Sequence, residues 1–504
     1  MARYKHTEAE NGQGMFLTVN LKEQLLPDTF EYMLDEIINT KIDTGIFDKK
    51  YKNDQAGASA IPPKALLKLV IYGYSKGKKS SRGIWELSRN NIMAKALIND
   101  ISMHWTTIAD FISENSEEFK KIFIQVLAYC NELGLVGCET FAIDGLRLPS
   151  NASMDFSGTK EQLEKRLKTY QRMAEKHLIR HKRKDENGET DENTEKHFVE
   201  RQKKLKRQIE KLSVFINTME KKEGRRGQEI QSNVTDNESA VILGPSGYIQ
   251  GYIGLAVSDQ KNQIIVSAEA VGSANEGEHF PDMLDQTEKN IKETSSPETW
   301  EEKEKTFLAD RNYFGEDNLK ACDERGIDAV IPDSQYKRRL GANKEKLYEL
   351  EDFIYYKNDD YYKCPQGKKL PYKGADTINN DEVKYYRASL TDCRACPVYN
   401  KCIRTKKERN MLDKGKNLVV RKSNEDGSFC RIMRKKLDTE EYQEKYSRRI
   451  QIIEPVFANI SYCKGLDRFT LRGKEKVNGQ WRLYCIMHNL GKCLNEHNIR
   501  RNSA

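Results

Sequence analysis

Cys138-Glu-Thr-Phe-Ala-Ile-Asp144 is an apolar run closed by a carboxylate, and Phe307-Leu-Ala-Asp310 repeats the device far downstream. Short apolar runs of this kind read as buried strands, and a carboxylate at the carboxyl end of such a strand points into the crevice where open α/β sheets bind ligands. A third carboxylate, Glu454, stands in Ile453-Glu-Pro-Val-Phe457, inside an amphipathic helical pattern. Two strand ends and one helix can converge as a cage of carboxylate oxygens, the ligands that hard divalent cations prefer. In-line breakage or joining of a phosphodiester uses two such cations about 3.5–4 Å apart. The pattern suggests metal-dependent phosphodiester chemistry on nucleic acid. Taken singly, each aspartate has a plainer reading, since Asp144-Gly145 is also an ordinary turn starter.

Working outward, the first strand ends at Asp144. Strands near 248–258 and 263–271 form a hairpin around Asp259-Gln-Lys-Asn262. A helix at about 278–292, a strand leading to Asp310, a helix after Phe314 and a short strand at 328–331 complete an α/β set. Between the first strand and the hairpin, Leu163, Leu167, Tyr170, Ala174 and His177 step by four and three, as do Ile209, Leu212, Ile216 and Met219. With the polar stretch 185–193 between them, residues 158–222 read as an antiparallel helical hairpin whose charges either track DNA or keep it soluble.

Residues 1–135 read as helical. Pro62-Pro63 opens a helix with Leu66, Leu67, Val70 and Ile71 on one face, and the Lys- and Ser-rich run 75–81 breaks it. Residues 335–435 hold Cys364, Cys393-Arg-Ala-Cys396 and Cys402, a set able to close a tetrahedral thiolate site on structural zinc. A small insertion poor in apolar residues needs such a staple; the alternative is four unligated thiols. The last helical pattern starts at Asp438, where Asp438 and Glu441 fit a capping box. Pro455 within it is expected to kink the chain at Glu454.

The chain has 504 residues, enough for two or three modules, and Lys plus Arg 85 against Asp plus Glu 77 leaves a net charge of only +8. So modest an excess does not itself indicate a polyanion partner, and local patches must do any such binding. Eleven cysteines with neither a leader-like segment nor a bilayer-spanning apolar run lead to the expectation of a reducing, cytoplasmic setting.

Several stretches carry a family resemblance: Ile61-Pro-Pro-Lys-Ala-Leu-Leu-Lys-Leu-Val-Ile-Tyr-Gly-Tyr74 with Ser80-Ser-Arg-Gly-Ile84, Ile143-Asp-Gly145 with Asn151-Ala-Ser153, and Ala309-Asp-Arg-Asn-Tyr-Phe314. Tyr446, Arg449, Glu454-Pro-Val-Phe-Ala-Asn-Ile460, Leu471-Arg-Gly-Lys-Glu-Lys476 and His488-Asn-Leu490 continue it. Their order from about residue 15 to 495 resembles a DDE transposase of bacterial insertion sequences, in the group with an all-α N-terminal domain before a ribonuclease H-like core. The resemblance implies an α/β catalytic core over 136–334 and 436–495, interrupted by the helical hairpin and the Cys-rich insertion. It implies that Asp144, Asp310 and Glu454 hold two Mg²⁺ or Mn²⁺ ions, with Arg449 as a phosphate ligand or else a surface charge.

The expected partners are double-stranded DNA, both element ends and target, and a second copy of the chain on that DNA, in the cytoplasm at the nucleoid. Residues 1–135 would then be a helix-turn-helix-like reader of terminal repeats, with Lys64, Lys68, Lys76, Lys78, Lys79 and Arg82 on phosphates. The competing reading is a dimerisation bundle with a solvated lysine face. A structure-selective nuclease on the same core and an inactive DNA-binding derivative remain open. One departure stands out: where relatives carry lysine seven residues after the glutamate, this chain has Ser461, and Lys464 is the candidate substitute.

Overall fold

The computed structural model describes residues 20–51, 59–187, 192–224, 227–245, 247–295, 300–340, 348–378, 381–403, 413–421 and 427–503. Residues 15–19 of the family resemblance and 188–191 of the expected hairpin turn lie outside these. The chain divides into two compact units, Met1–Phe111 with Cys493–Ala504, and Ile112–Lys492. The division falls at 111, not near 135, because the helix Ser116–Glu132 packs on the helix Phe280–Thr294 of the second unit. No helix among the described residues is long and apolar enough to cross a membrane.

In the first unit, Pro63 occupies the opening turn of the helix Pro63–Ser75, where its missing N–H costs nothing. This helix is buried from Ala65 to Tyr74, so the single apolar face expected of it is in fact an apolar circumference. Lys68 is buried with it and donates to Asp35 at 2.6 Å and to Asn39 at 2.9 Å. Ser80 caps the next helix, Ser81–Asn90, by accepting from the Gly83 N–H. The two helices meet so closely that a Cβ on Gly73 would stand 2.8 Å from Ile84 Cγ1.

The second unit is built on a six-stranded sheet: β1 (Thr140–Pro149), β2 (Ala240–Gly244), β3 (Gly247–Asp259), β4 (Ile265–Val271), β5 (Lys305–Leu308) and β6 (Ile327–Val330). β3 pairs antiparallel with β1 on one edge and with β2 and then β4 on the other. β1, β5 and β6 run parallel. The first strand does not end at Asp144. It continues to Pro149, because the β1–β3 ladder runs unbroken from Phe141 opposite Asp259 to Pro149 opposite Gly251. Asp144-Gly145 is therefore strand, not turn.

The charged insertion is a helical hairpin, Lys160–Glu186 and Glu192–Thr218, closed at its base by Leu163, Leu212 and Ile216. Farther along it, Phe198 stacks on His177 and His181. The Cys-bearing insertion forms an antiparallel sheet of β7 (Ile354–Tyr356), β8 (Tyr361–Lys363), β9 (Lys369–Ile378), β10 (Asp381–Arg387) and β11 (Asn417–Arg421) in sequence order. It has a core of its own, with Phe353, Tyr362, Leu370, Tyr386, Leu418 and Val420 buried. The expectation that it lacks apolar packing is corrected, since Tyr362 and Tyr386 pack together with Leu370, Leu418 and Val420.

Asp438 does not cap the helix that bears Glu454. It ends the preceding helix Phe429–Leu437, its N–H bonding back to Arg434, while its carboxylate accepts from Arg339 at 3.1 Å. The helix Glu440–Ala458 starts after Thr439, passes through Pro455 and ends in a π turn over Asn459–Cys463. Proline has no N–H for the carbonyl of Gln451, and the Gln263 side-chain amide donates to that carbonyl instead, at 2.8 Å. A borrowed donor carries the helix past its proline.

Candidate active site

Sheet register brings the two aspartates together. Ala142 pairs with Leu308 across the parallel β1–β5 ladder, and Asp144 and Asp310 each follow two residues later. Strand side chains alternate with period two, so both carboxylates leave the same face at the same level. Asp310 lies just past β5 in extended backbone and caps the short turn Arg311–Tyr313, its Oδ1 accepting from the Asn312 N–H at 2.7 Å. Burial pushes the Asp310 carboxyl up, the Asn312 N–H opposes this, and the nearby Asp144 charge adds to the rise.

The helix Glu440–Ala458 packs over β1, β3, β5 and β6 and delivers Arg449 and Glu454. Arg449 Nη1 donates to Asp144 Oδ2 at 2.8 Å, and its Nη2 stands 3.8 Å from Glu454 Oε1. Arg449 is buried, which removes the reading of it as a surface charge, whereas the Glu454 side chain is 56% exposed. Tyr446, one turn earlier, lies beside Arg449, and burial pushes its phenol up.

A fourth carboxylate, not anticipated from sequence, completes the cluster. Glu276, 3% exposed, accepts on Oε1 from Arg147 Nη2 at 2.9 Å and from Asn312 Nδ2 at 2.7 Å. Burial pushes its carboxyl up, Arg147 pulls it down, and Asp144 and Asp310 push it up again. Gly145 is glycine for a local reason: a Cβ there would lie 2.4 Å from Glu276 Oε2 and 2.4 Å from Ile253 Cγ2. The signal available in sequence was Gly145 directly after an inward-facing aspartate; Glu276 itself sits in a turn without periodicity.

Four carboxylates face two guanidinium groups here, and the uncompensated negative charge suits a divalent cation bound by hard oxygen ligands. Arg449, however, stands between Asp144 and Glu454. Among the described residues no group of three or more His, Cys, Asp or Glu side chains has the geometry to hold a metal ion. The donor chemistry fits a cation, and the Arg449 guanidinium now fills part of that role.

Cys364, Cys393, Cys396 and Cys402 form no disulfide, and Cys364, Cys393 and Cys402 share the small core of the insertion. Burial pushes the Cys402 thiol up to about 11, and the other three cysteines add to it. The Lys368 and Lys416 N–H groups each approach a sulfur, Cys364 and Cys393 respectively, at 3.3 Å.

The proposed phosphate ligands are less uniform than a basic patch. Lys76 pairs with Glu31 at 2.8 Å and lies over the Tyr72 ring, and Lys68 is the buried partner of Asp35. Arg82 covers the Trp105 ring at 4.6 Å. Lys78 and Lys79 flank the junction of the two helices. Ser461 and Lys464 do not simply continue the Glu454 face, because the π turn changes the helical phase between them; Ser461 Oγ donates to the Phe457 carbonyl.

Two family models match the chain: a transposase DDE domain over residues 363–494 and a transposase domain of the kind designated DUF772 over residues 19–114. Glu454, Arg449 and the four cysteines fall within the first match and Lys64 to Arg82 within the second; Asp144 and Asp310 lie outside both. No curated protein matches the chain.

Proposed function

We propose that the chain, as the transposase matches over residues 363–494 and 19–114 support, is a DDE transposase of the insertion-sequence type, and that it binds the terminal inverted repeats of its element, cuts there and joins the freed ends to target DNA. The observation that carries this reading is the level placement of Asp144 and Asp310 on neighbouring parallel strands beneath the helix bearing Glu454. The strand order and pairing support a ribonuclease H-like reading of this core. DDE transposases use divalent metals; Asp144, Asp310 and Glu454 would hold two Mg²⁺ or Mn²⁺ ions, which when bound polarise the scissile phosphate and activate the attacking oxygen.

The chain's own groups do the positioning. Burial of the aspartates raises the strength of every charge interaction around the phosphate. Arg449, forked between Asp144 and Glu454, can hand one arm to a non-bridging phosphate oxygen once the carboxylates are neutralised. Water first displaces one P–O bond and leaves a 3′-hydroxyl. That hydroxyl then forms one new P–O bond to target DNA while breaking another, with no covalent protein intermediate. The helix pair around Lys78, Lys79 and Arg82 serves as the reader of the ends, and two copies hold two ends.

The test is to incubate the full chain with DNA carrying its flanking genomic ends, a target plasmid and Mg²⁺, and to map every break and joint to the base. End-specific cuts with joined product are expected. Cuts dictated by DNA shape, without joining, would favour the nuclease reading, and binding without metal-dependent cutting would favour an inactive derivative. Separately, although the four cysteines do not come together as a metal-holding group among the described residues, their donor chemistry and the two N–H···S contacts motivate a proposal of one structural zinc, which elemental analysis of the purified chain tests. About one zinc per chain should be present and lost in Cys393→Ser/Cys396→Ser; metal-replete protein without zinc sinks this assignment.

A further inference from the structure

Glu276 takes no part in the function proposed above, yet three separate features of the chain are arranged around it. Its Oε1 accepts from Asn312 Nδ2, and Asn312 in turn holds both oxygens of Asp310, Oδ1 through its N–H at 2.7 Å and Oδ2 through its side chain at 3.1 Å. The turn that carries it, Glu276–His279, docks on the turn Arg311–Tyr313: a Cβ on Gly277 would stand 2.5 Å from the Asn312 carbonyl oxygen. Asn318 Nδ2 ties the two turns by donating to the Gly277 carbonyl at 3.0 Å and the Tyr313 carbonyl at 2.9 Å. On the other side, Oε2 is buried without a hydrogen-bond partner among the described residues and lies over Gly145, next to Asp144.

We propose that Glu276 is a positioning residue for the aspartate pair: acting through Asn312, it fixes the Asp310 carboxylate at the distance from Asp144 that a shared divalent cation requires. Asp310 lies just past the end of β5, and Asn312 bonds it through both its backbone and its side chain. Asn312 can rotate unless its amide is claimed from the far side, and Glu276 Oε1 claims it. Arg147 neutralises the buried carboxylate while leaving the hydrogen bond intact. Partners of this outer kind are worth about 10- to 100-fold in metal affinity.

The inference rests on reading Asp144 and Asp310 as metal ligands, so the experiment separates the two. Mn²⁺ binding to the full chain is followed by the electron paramagnetic resonance of the free ion, without DNA or turnover. Asn312→Ala and Glu276→Ala should each bind Mn²⁺ about 10-fold or more weakly. Glu276→Gln, whose carbonyl oxygen still accepts from Asn312, should bind nearly as the native chain does. The double variant Glu276→Ala/Asn312→Ala should be no weaker than the weaker single, because both remove one device.

Native Mn²⁺ affinity in Asn312→Ala, with Asp310→Asn impaired, overturns the role of Glu276 alone. That variant also decides the matter should Glu276→Ala fail to fold. Glu276→Gln as weak as Glu276→Ala overturns positioning by the hydrogen bond. Undiminished binding in Asp310→Asn overturns the metal-site reading itself.

Discussion

The carboxylate crevice and the cysteine-bearing insertion are assembled in contrasting ways. The crevice gathers Asp144, Glu276, Asp310 and Glu454 from distant parts of the chain, and only sheet register and helix packing bring them into one place. The insertion pairs its strands in sequence order and fills its core from neighbours: Tyr362 packs on Tyr355 and Tyr386, each at 4.8 Å, and Asp360 accepts from both Tyr355 and Tyr386. Local contacts cost little loop-closure entropy, whereas the crevice closes long loops around buried charge. A site of the first kind is fragile to single substitutions, and one of the second kind tolerates them.

The largest expected difference is in activity. Asp144→Asn, Asp310→Asn and Glu454→Gln should each lower end cleavage by about 10²–10³-fold or more while end binding is retained. Cys393→Ser/Cys396→Ser should leave cleavage in place. Gel assays of nicking and of end binding measure both, and unimpaired cleavage in any carboxylate variant removes that residue from the site.

A pH effect should follow on the crevice side of the comparison. His488 is buried, donates from Nε2 to the Gln263 carbonyl at 3.0 Å, and burial lowers its pKa to about 4. The unfolded chain therefore binds the extra proton first as pH falls from about 6.5, and stability rises with pH across the interval from 4 to 6.5. By pH 4 the loss reaches roughly 3 kcal/mol. Thermal melts of the native chain and of His488→Gln should converge in slope only above that window; parallel slopes throughout would show that His488 does not titrate as buried.

Two glycines sharpen the contrast on a smaller scale. Gly145→Ala drives a methyl into Glu276 and Ile253 and should cost about 1–3 kcal/mol by denaturant titration, with weakened Mn²⁺ binding. Gly367→Ala in the insertion meets only the far end of Lys363 but must hold φ +77°, which should cost roughly 1–2 kcal/mol and leave the crevice untouched. Equal effects of both on Mn²⁺ affinity would show that the two regions are mechanically coupled.

Periodicity in the sequence was sufficient for the helical hairpin, the β3–β4 turn and the opening of the Pro63 helix, because each is decided by neighbours within a few residues. It also drew attention to Asp144 and Asp310, which close apolar runs, and to Glu454 inside a helical pattern; their joint role is the proposal made above. It could not show that β1 runs past Asp144, that Asp438 closes one helix rather than opening the next, or that Gln263 supplies the donor Pro455 lacks. Those depend on partners far away in the chain: Gly251 across β1, Arg339 beside Asp438 and Gln451 beside Gln263.

Glu276 is the clearest case. In sequence it is one charged residue in a polar turn, and only the tertiary structure, by setting it over Gly145 and against Asn312, makes it a buried member of the cluster. Local propensity follows from a residue and its neighbours, whereas burial of a charge is set by whatever the rest of the fold places around it.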